Sequence, residues 1–438
     1  MIPLKQYAQS CFKWPPSCRK YLLLIAALAG VILAAGRFGK AAEAAQSRRD
    51  MATAQRNRNL LEVGRLSREY TRLLGSKAGV PDRATTFSPI PNEATRLTAE
   101  ECRRAFTPML ERLEQDAWWT KRPETQDMPY PLRMVASVVE GCLAARRAGC
   151  DHPDRLLQAA CGAADFLVWA QEQGGKGCFP YPAMRGKAGR QGELAEQGIA
   201  KATAQGRLGE VLHNGWFITD DGNGDLQFDN GVAGVAVLRC YEATRDEKYL
   251  RSARAAADWA TTEPAVRNWN YNSFAVFLLS EMFRCTGERK YLVAAKEKAQ
   301  LGIYPGQLTE GPQRGRWNDP HNARLVYHYI LLRGLATLVA VLPDDDVDLP
   351  RAREALVLGL QVRNAEIVRQ GAAHPETVLD TLCRIVLALR LASLPPDAGV
   401  PAAYDAMVRF ASSQSRNGSM PVPPGAWGLM LESLRQPP

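Results

Sequence analysis

The sequence predicts an all-α domain, a closed ring of five to six helical hairpins, preceded by an N-terminal membrane-anchor and stalk helix. Three observations carry this. The first is a repeat: EATRDEKYLRSARAAADWA from Glu242 matches RCTGERKYLVAAKEKAQLG from Arg284, with Tyr249 and Tyr291 42 positions apart. The second is loop length. Turns within hairpins are short (Gly149–His152, Arg245–Glu247, Gly287–Arg289), whereas connections between hairpins are long and chemically rich. The third is polarity. The first helix of a hairpin, as in VAGVAVL, SFAVFLL and LVYHYILL, is more apolar than the second, as expected of an inner layer enclosed by an outer one.

Taken in order, residues 1–20 are a basic leader and residues 21–36 (YLLLIAALAGVILAAG) an uncharged apolar run. The run is short for a spanning helix and long for a signal peptide, and it reads as an uncleaved anchor holding the domain outside the cytoplasm, in the periplasm or extracellular space. Cleavage and secretion is the alternative. Residues 37–96 form an Ala-, Arg- and Glu-rich helical stalk and a linker with Pro81, Pro89 and Pro91. The ring occupies residues 97–438. Its first helix opens at Thr98, which makes a capping box with Glu101. Hairpins follow at Leu132–Gln171, across the two repeat copies, at Leu325–Arg363 and at Thr377–Ser413. The tail Trp427–Leu434 pairs with the first helix to close the ring.

With 438 residues, 46% hydrophobic content and 23% charge, the chain is a folded globular protein. The net charge of +9 owes much to arginines between Arg48 and Arg72, suited to anionic headgroups or to a solvated helix. No nucleic-acid motif, P-loop, G-x-S-x-G or dinucleotide fingerprint stands in a fitting context. Ten cysteines occur without a C-x-x-C pair, which argues against zinc and leaves one or two disulfides open for an exported domain.

The richest stretch is His213–Gly231, HNGWFITDDGNGDLQFDNG, read here as a long functional loop. The turn text T-x-[DE]-x-[KR]-Y-L at Thr244–Leu250 and Thr286–Leu292, together with Asp229 in QFDNGVAGV at an inner-helix entrance, resembles the six-hairpin glycosidase-like group of (α/α) toroids. That group includes unsaturated uronyl hydrolases, other glycoside hydrolases, sugar epimerases and, on related toroids, polysaccharide lyases. The resemblance covers about Thr98 to Leu434. It implies a carbohydrate substrate, and it gives Asp229 the place of the aspartate that protonates the substrate double bond in unsaturated uronyl hydrolases.

Glycoside hydrolysis needs two carboxylates, one acid and one base or nucleophile. The catalytic candidates are Asp229 with Asp319 or Asp221, and His321 as a group able to move a proton near neutral pH. Trp216, Trp269 and Trp317 are candidates for stacking on sugar rings, Asn270, Tyr271 and Asn322 for polar contacts, and Arg316 and Arg324 for a uronate carboxylate. A lyase would use Tyr271 or His321 as base; a scaffold protein would bind through the tryptophans without turnover. No cofactor is required. Asp221, Asn223 and Asp225 space oxygen ligands like the start of a calcium loop, although Leu226 and Val232 break that pattern and an ordinary Asx turn fits as well. His328 reads as a hydrogen-bonded core residue. Hydrolysis is the expected chemistry, because the richest loop supplies carboxylates.

Overall fold

Thr98 starts the first helix as its text demands. The hydroxyl accepts the Glu101 N–H at 3.2 Å, and the Glu101 carboxylate accepts the Thr98 N–H at 2.8 Å, so two otherwise unpaired donors are satisfied. The helix, α1, runs Ala99–Gln115. The computed structural model describes residues 51, 53–62, 64–65, 87–90, 97–186, 189–219, 224–317, 324–389, 394–416 and 423–435. The apolar run 21–36 lies outside them, and among the described residues no helix is long and apolar enough to cross a membrane. Two units are distinguished, one ending at Asn59 and one beginning at Leu60. In the first, the described residues are helical, with the Gln55 amide donating to Asn59 at 3.1 Å.

Among its described residues the second unit is all-α apart from one small sheet and two isolated bridges, Ser88 with Ala372 and Gln307 with Trp317. After α1 come α2 (Leu132–Arg147) and α3 (Pro153–Gly174), then α4 (Arg190–Ala204) and the single turn α5 (Leu208–Val211). The hairpin α6 (Asp225–Thr244) and α7 (Glu247–Thr262) is followed by α8 (Trp269–Thr286) and α9 (Arg289–Gly302). Next are α10 (Leu325–Val341) with α11 (Leu349–Gln370), α12 (Pro375–Leu389) with α13 (Val400–Arg416), and α14 (Pro424–Arg435).

The first helices pack in succession: α2 on α6, α6 on α8, α8 on α10, α10 on α12, α12 on α14, and α14 back on α2. They are apolar on nearly all sides; α10 is buried without a break from His328 to Val339. The second helices bury one face only, α7 along Tyr249, Leu250, Ala253, Ala256, Ala257 and Ala260, as an outer layer should. Where α14 meets α2, backbone lies on backbone. A Cβ on Gly428 would strike Gly141, and one on Gly425 would sit 2.7 Å from the Ser137 hydroxyl oxygen. Across the middle, Arg384 of α12 bonds Glu140 of α2 at 2.6 and 2.5 Å, two helices that are not consecutive in the succession.

The repeated turn text has a structural job. Tyr249 donates to Asp165 of the preceding outer helix at 2.8 Å, and Lys248 reaches the same carboxylate at 2.7 Å. Forty-two positions on, Tyr291 and Lys290 hold Asp258 at 2.9 and 2.6 Å. Gly287 ends α8 at φ +70°, where glycine carries no Cβ penalty; its counterpart Arg245 takes φ +62° with its guanidinium over the Tyr241 ring.

Two expectations change. His213–Gly231 is not one loop. Asn214 and Gly215, at φ +48° and +78°, make the tight turn between β2 (Leu212–His213) and β3 (Trp216–Phe217), and β1 (Tyr181–Pro182) pairs on the far side of β3. Helix α6 starts at Asp225, so Asp229 stands inside its second turn rather than before the helix. Likewise, Trp269–Ser273 is the first turn of α8, and the long connection after Gln173 holds α4, α5 and the sheet.

Candidate functional site

Asp229 is 1% exposed, and its carboxylate is fully engaged. Arg133, at the start of α2, donates to it from the backbone N–H at 3.2 Å, from Nε at 3.1 Å and from Nη2 at 2.6 Å. Burial opposes the Arg133 charge, but the Asp229 charge and hydrogen bonds outweigh it and raise the guanidinium pKa. The same guanidinium lies 3.9 Å above the Phe228 ring and 5.8 Å from the Tyr181 ring. Phe228 stacks on Phe274 of α8 at 4.1 Å with ring planes 20° apart. On the far side of Phe274, 4.8 Å away, is Arg333 of α10, which also lies 4.5 Å from Phe277.

Arg333 is 3% exposed, and its Nε and Nη2 have no hydrogen-bond partner. Burial, and then Arg384 nearby, lower its pKa to about 10; Asp380 and Glu140 oppose the shift. Those two carboxylates are bonded directly to Arg384, so the group of four balances in charge while the Arg333 donors stay unmet.

One helix turn nearer the α8 N-terminus, the Tyr271 hydroxyl lies close enough to Asp225, the first residue of α6, to be perturbed by its carboxylate. Burial, then the hydrogen bond to Asp225, raise the Tyr271 pKa, so the phenol keeps its proton at neutral pH. Tyr181 is raised as well, by burial and then by Asp229. Tyr327 of α10 is close enough to add to the Tyr271 shift, and Arg324 sits 5.6 Å from the Tyr327 ring with its Nε unpartnered. The N-terminal ends of α2, α6 and α8 therefore gather Arg133, Asp225, Asp229, Tyr181 and Tyr271, and the start of α10 adds Tyr327 to the cluster. Helix N-termini favour anions, so this end suits a negatively charged ligand.

The aromatic candidates are corrected by their burial. Trp216 is 2% exposed with Trp169 edge-on at 6.1 Å. Trp269 is 2% exposed beneath Gly306, where a Cβ would come within 2.5 Å of the indole. Trp317 is fully buried, donating its Nε1 hydrogen to the Ile303 carbonyl at 2.9 Å. None of the three offers a ring face to a sugar. Asn270 is also core, 2% exposed. Arg316 is ion-paired with Glu366, which Arg363 holds at 2.5 Å. His328 is core as read: Trp317 N stands 3.2 Å from one ring nitrogen and Arg363 Nε 2.8 Å from the other, of which the neutral ring accepts through one, and burial drives its pKa well below the ordinary value.

Asp221, Asn223, Asp319, His321 and Asn322 lie outside the described residues. Of the calcium candidates, only Asp225 is described, and it lies beside Tyr271. No group of three or more His, Cys, Asp or Glu side chains is arranged for a metal among the described residues. Sequence reading missed Arg133, Tyr181, Tyr327 and the Phe228–Phe274 stack. The repeat held a signal for part of this: at the 42-residue offset Asp229-Asn230 falls on Tyr271-Asn272. Both asparagines are buried clamps. Asn230 accepts Phe179 N–H and donates to the Ala256 carbonyl, both at 3.0 Å, and Asn272 does the same with Val266 N–H and the Gly302 carbonyl at 2.8 and 2.9 Å.

No family model matches the chain, and no curated protein matches it significantly. Among solved structures it is similar to one described as a polysaccharide lyase, with a TM-score of 0.46 and 12% identity, covering 77% of this chain and 96% of the other. Similarity of that degree does not place the chain in a family.

Proposed function

We propose that this protein is a carbohydrate-active enzyme on an (α/α) toroid, acting at the N-terminal ends of the inner helices. The return of α14 onto α2 supports the toroid reading. The substrate is an anionic, uronic-acid-containing polysaccharide or oligosaccharide. Converging helix N-termini and the unpartnered Arg324 Nε support a carboxylate-bearing ligand. The apolar run 21–36 would anchor the domain outside the cytoplasm, where such polymers lie.

One observation favours one chemistry over the other. Both Asp229 oxygens accept Arg133 N–H groups, so this carboxylate is committed to an ion pair and poorly placed to donate a proton to a glycosidic oxygen. The group placed to move a proton is the Tyr271 hydroxyl, backed by Asp225. This favours β-elimination over hydrolysis, which ranks second. In the elimination, Tyr271 Oη takes the proton from the carbon next to the uronate carboxylate while its own proton passes to Asp225. The electron pair of that C–H bond forms the 4,5-double bond, and the bond to the leaving oxygen breaks. Tyr271 then protonates the leaving oxygen and recovers the proton held by Asp225. Arg133 with Asp229 fixes the wall of the site. Tyr271→Phe keeps the ring and the packing and lowers turnover about 1000-fold with little change in substrate affinity, the scale of a lost acid–base group. Undiminished turnover in the variant, measured by double-bond absorbance, contradicts the assignment.

A further inference from the structure

Away from this site, two sulfurs meet between hairpins. Cys161 stands midway along α3, half-buried; Cys240 stands near the C-terminal end of α6, fully buried. Their Sγ atoms are 3.7 Å apart. A disulfide needs about 2.05 Å, so closure asks for a movement of less than about 2 Å across two helices that already pack together. The surroundings are polar on the open side. Tyr249 and Lys248 of α7 hold Asp165, one turn beyond Cys161, and the Tyr249 hydroxyl also lies 3.4 Å from the Cys161 carbonyl.

Three other thiols are less acidic by comparison. Burial pushes Cys142 and Cys383 up to about 12, and Cys150 reaches a similar value. Cys161 moves the other way, lowered by its hydrogen bond with the Cys240 thiol, with Tyr249 and Lys248 assisting against burial and Asp165. The pair thus has an accessible, acidic attacking sulfur and a buried partner within reach.

We propose that Cys161 and Cys240 are a thiol-modification site that forms a reversible disulfide, stapling the outer helix of one hairpin to the inner helix of the next. The oxidant is a small-molecule or protein disulfide. The Cys161 thiolate attacks one sulfur of that disulfide, forming a mixed disulfide and expelling the first thiolate, which takes up the Cys161 proton. Cys240 gives its proton to the second leaving thiolate and attacks Cys161 Sγ. Two protein thiols lose two electrons and two protons, and the oxidant becomes two thiols.

The test uses the full chain, equilibrated with oxidised and reduced glutathione, quenched in acid, alkylated after denaturation and digested without reduction. The expected product is a cross-linked peptide pair containing Cys161 and Cys240. Cys240→Ser should instead accumulate glutathione on Cys161, and Cys161→Ser should leave Cys240 reduced. The oxidised protein should melt about 5 °C higher than the reduced one, through loss of freedom in the unfolded chain, and Cys161→Ser should abolish that difference. Recovery of both cysteines in alkylated form from the oxidising buffer overturns the proposal. So does stable glutathione on Cys161 beside a free Cys240 in the wild-type chain.

Discussion

At the scale of single residues, the site is organised by one buried ion pair. Asp229 has no water to fall back on if Arg133 is removed. Arg133→Met should therefore destabilise the fold by about 3 kcal/mol, whereas Asp229→Asn in the same background should restore much of the loss, since it is the uncompensated charge that costs. Denaturant melts of the two single variants and the double variant measure this, and additive losses would contradict it. A second residue-scale effect is pH. His328 is fully buried beside Arg363 and Arg316 and is depressed well below its ordinary value, so it stays neutral in the fold while the unfolded chain takes up a proton below about pH 6.5. Its contribution is complete above that pH and is lost as pH falls towards the folded value, by about 1.4 kcal/mol per pH unit. Unfolding midpoints that stay level from pH 7.5 to 5 would rule this out. Both residues show what sequence can and cannot give. Asp229 stood out in acidic text and His328 in apolar text, so each was legible. Arg133 sits in LRMVASVV with nothing to mark it, because its role comes from a helix 96 positions away. The tryptophans misled for a related reason: amphipathic aromatic loop text suits a sugar platform and a packed loop equally, and only the neighbours decide.

At the scale of elements, hairpins, their short turns and the inner–outer polarity were readable, because helical period and turn chemistry are local. The starts of α6 and α8 were not, although Thr98 marked that of α1. Asp225–Asn230 and Trp269–Asn272 are Asp- and Asn-rich, and such side chains serve first turns as well as loops, where the backbone N–H groups lack partners one turn back. The contact between α6 and α8 that builds the site rests on a small residue at such a start. A Cβ on Gly231 would lie 2.6 Å from the Phe274 carbonyl oxygen, whereas one on Gly162 in α3 meets nothing within 4 Å. Gly231→Ala should thus cost about 2 kcal/mol by prising the helices apart. Gly162→Ala should add about 1 kcal/mol through helix propensity alone. Thermal unfolding compares them, and equal shifts of the same sign would refute the packing argument.

At the scale of the whole molecule, the inner helices pack in a cycle joined by backbone contact at Gly141 and Gly428 and braced by Arg384 on Glu140. That arrangement brings residues distant in sequence, from Arg133 to Tyr327, to one end. The sequence repeat foreshadowed the all-α hairpins, since each hairpin buries its apolar helix only against its neighbours. It could not foreshadow which carboxylate would be tied up by an arginine, the observation from which elimination is proposed over the expected hydrolysis. The most direct measurement of that claim is ultraviolet absorbance of the 4,5-double bond while the full chain is incubated with uronic-acid polysaccharides and with their unsaturated oligosaccharides. The account predicts a rise on an intact polymer, abolished by Tyr271→Phe. A fall on unsaturated oligosaccharides, or new reducing ends at constant absorbance, would contradict it in favour of hydrolysis.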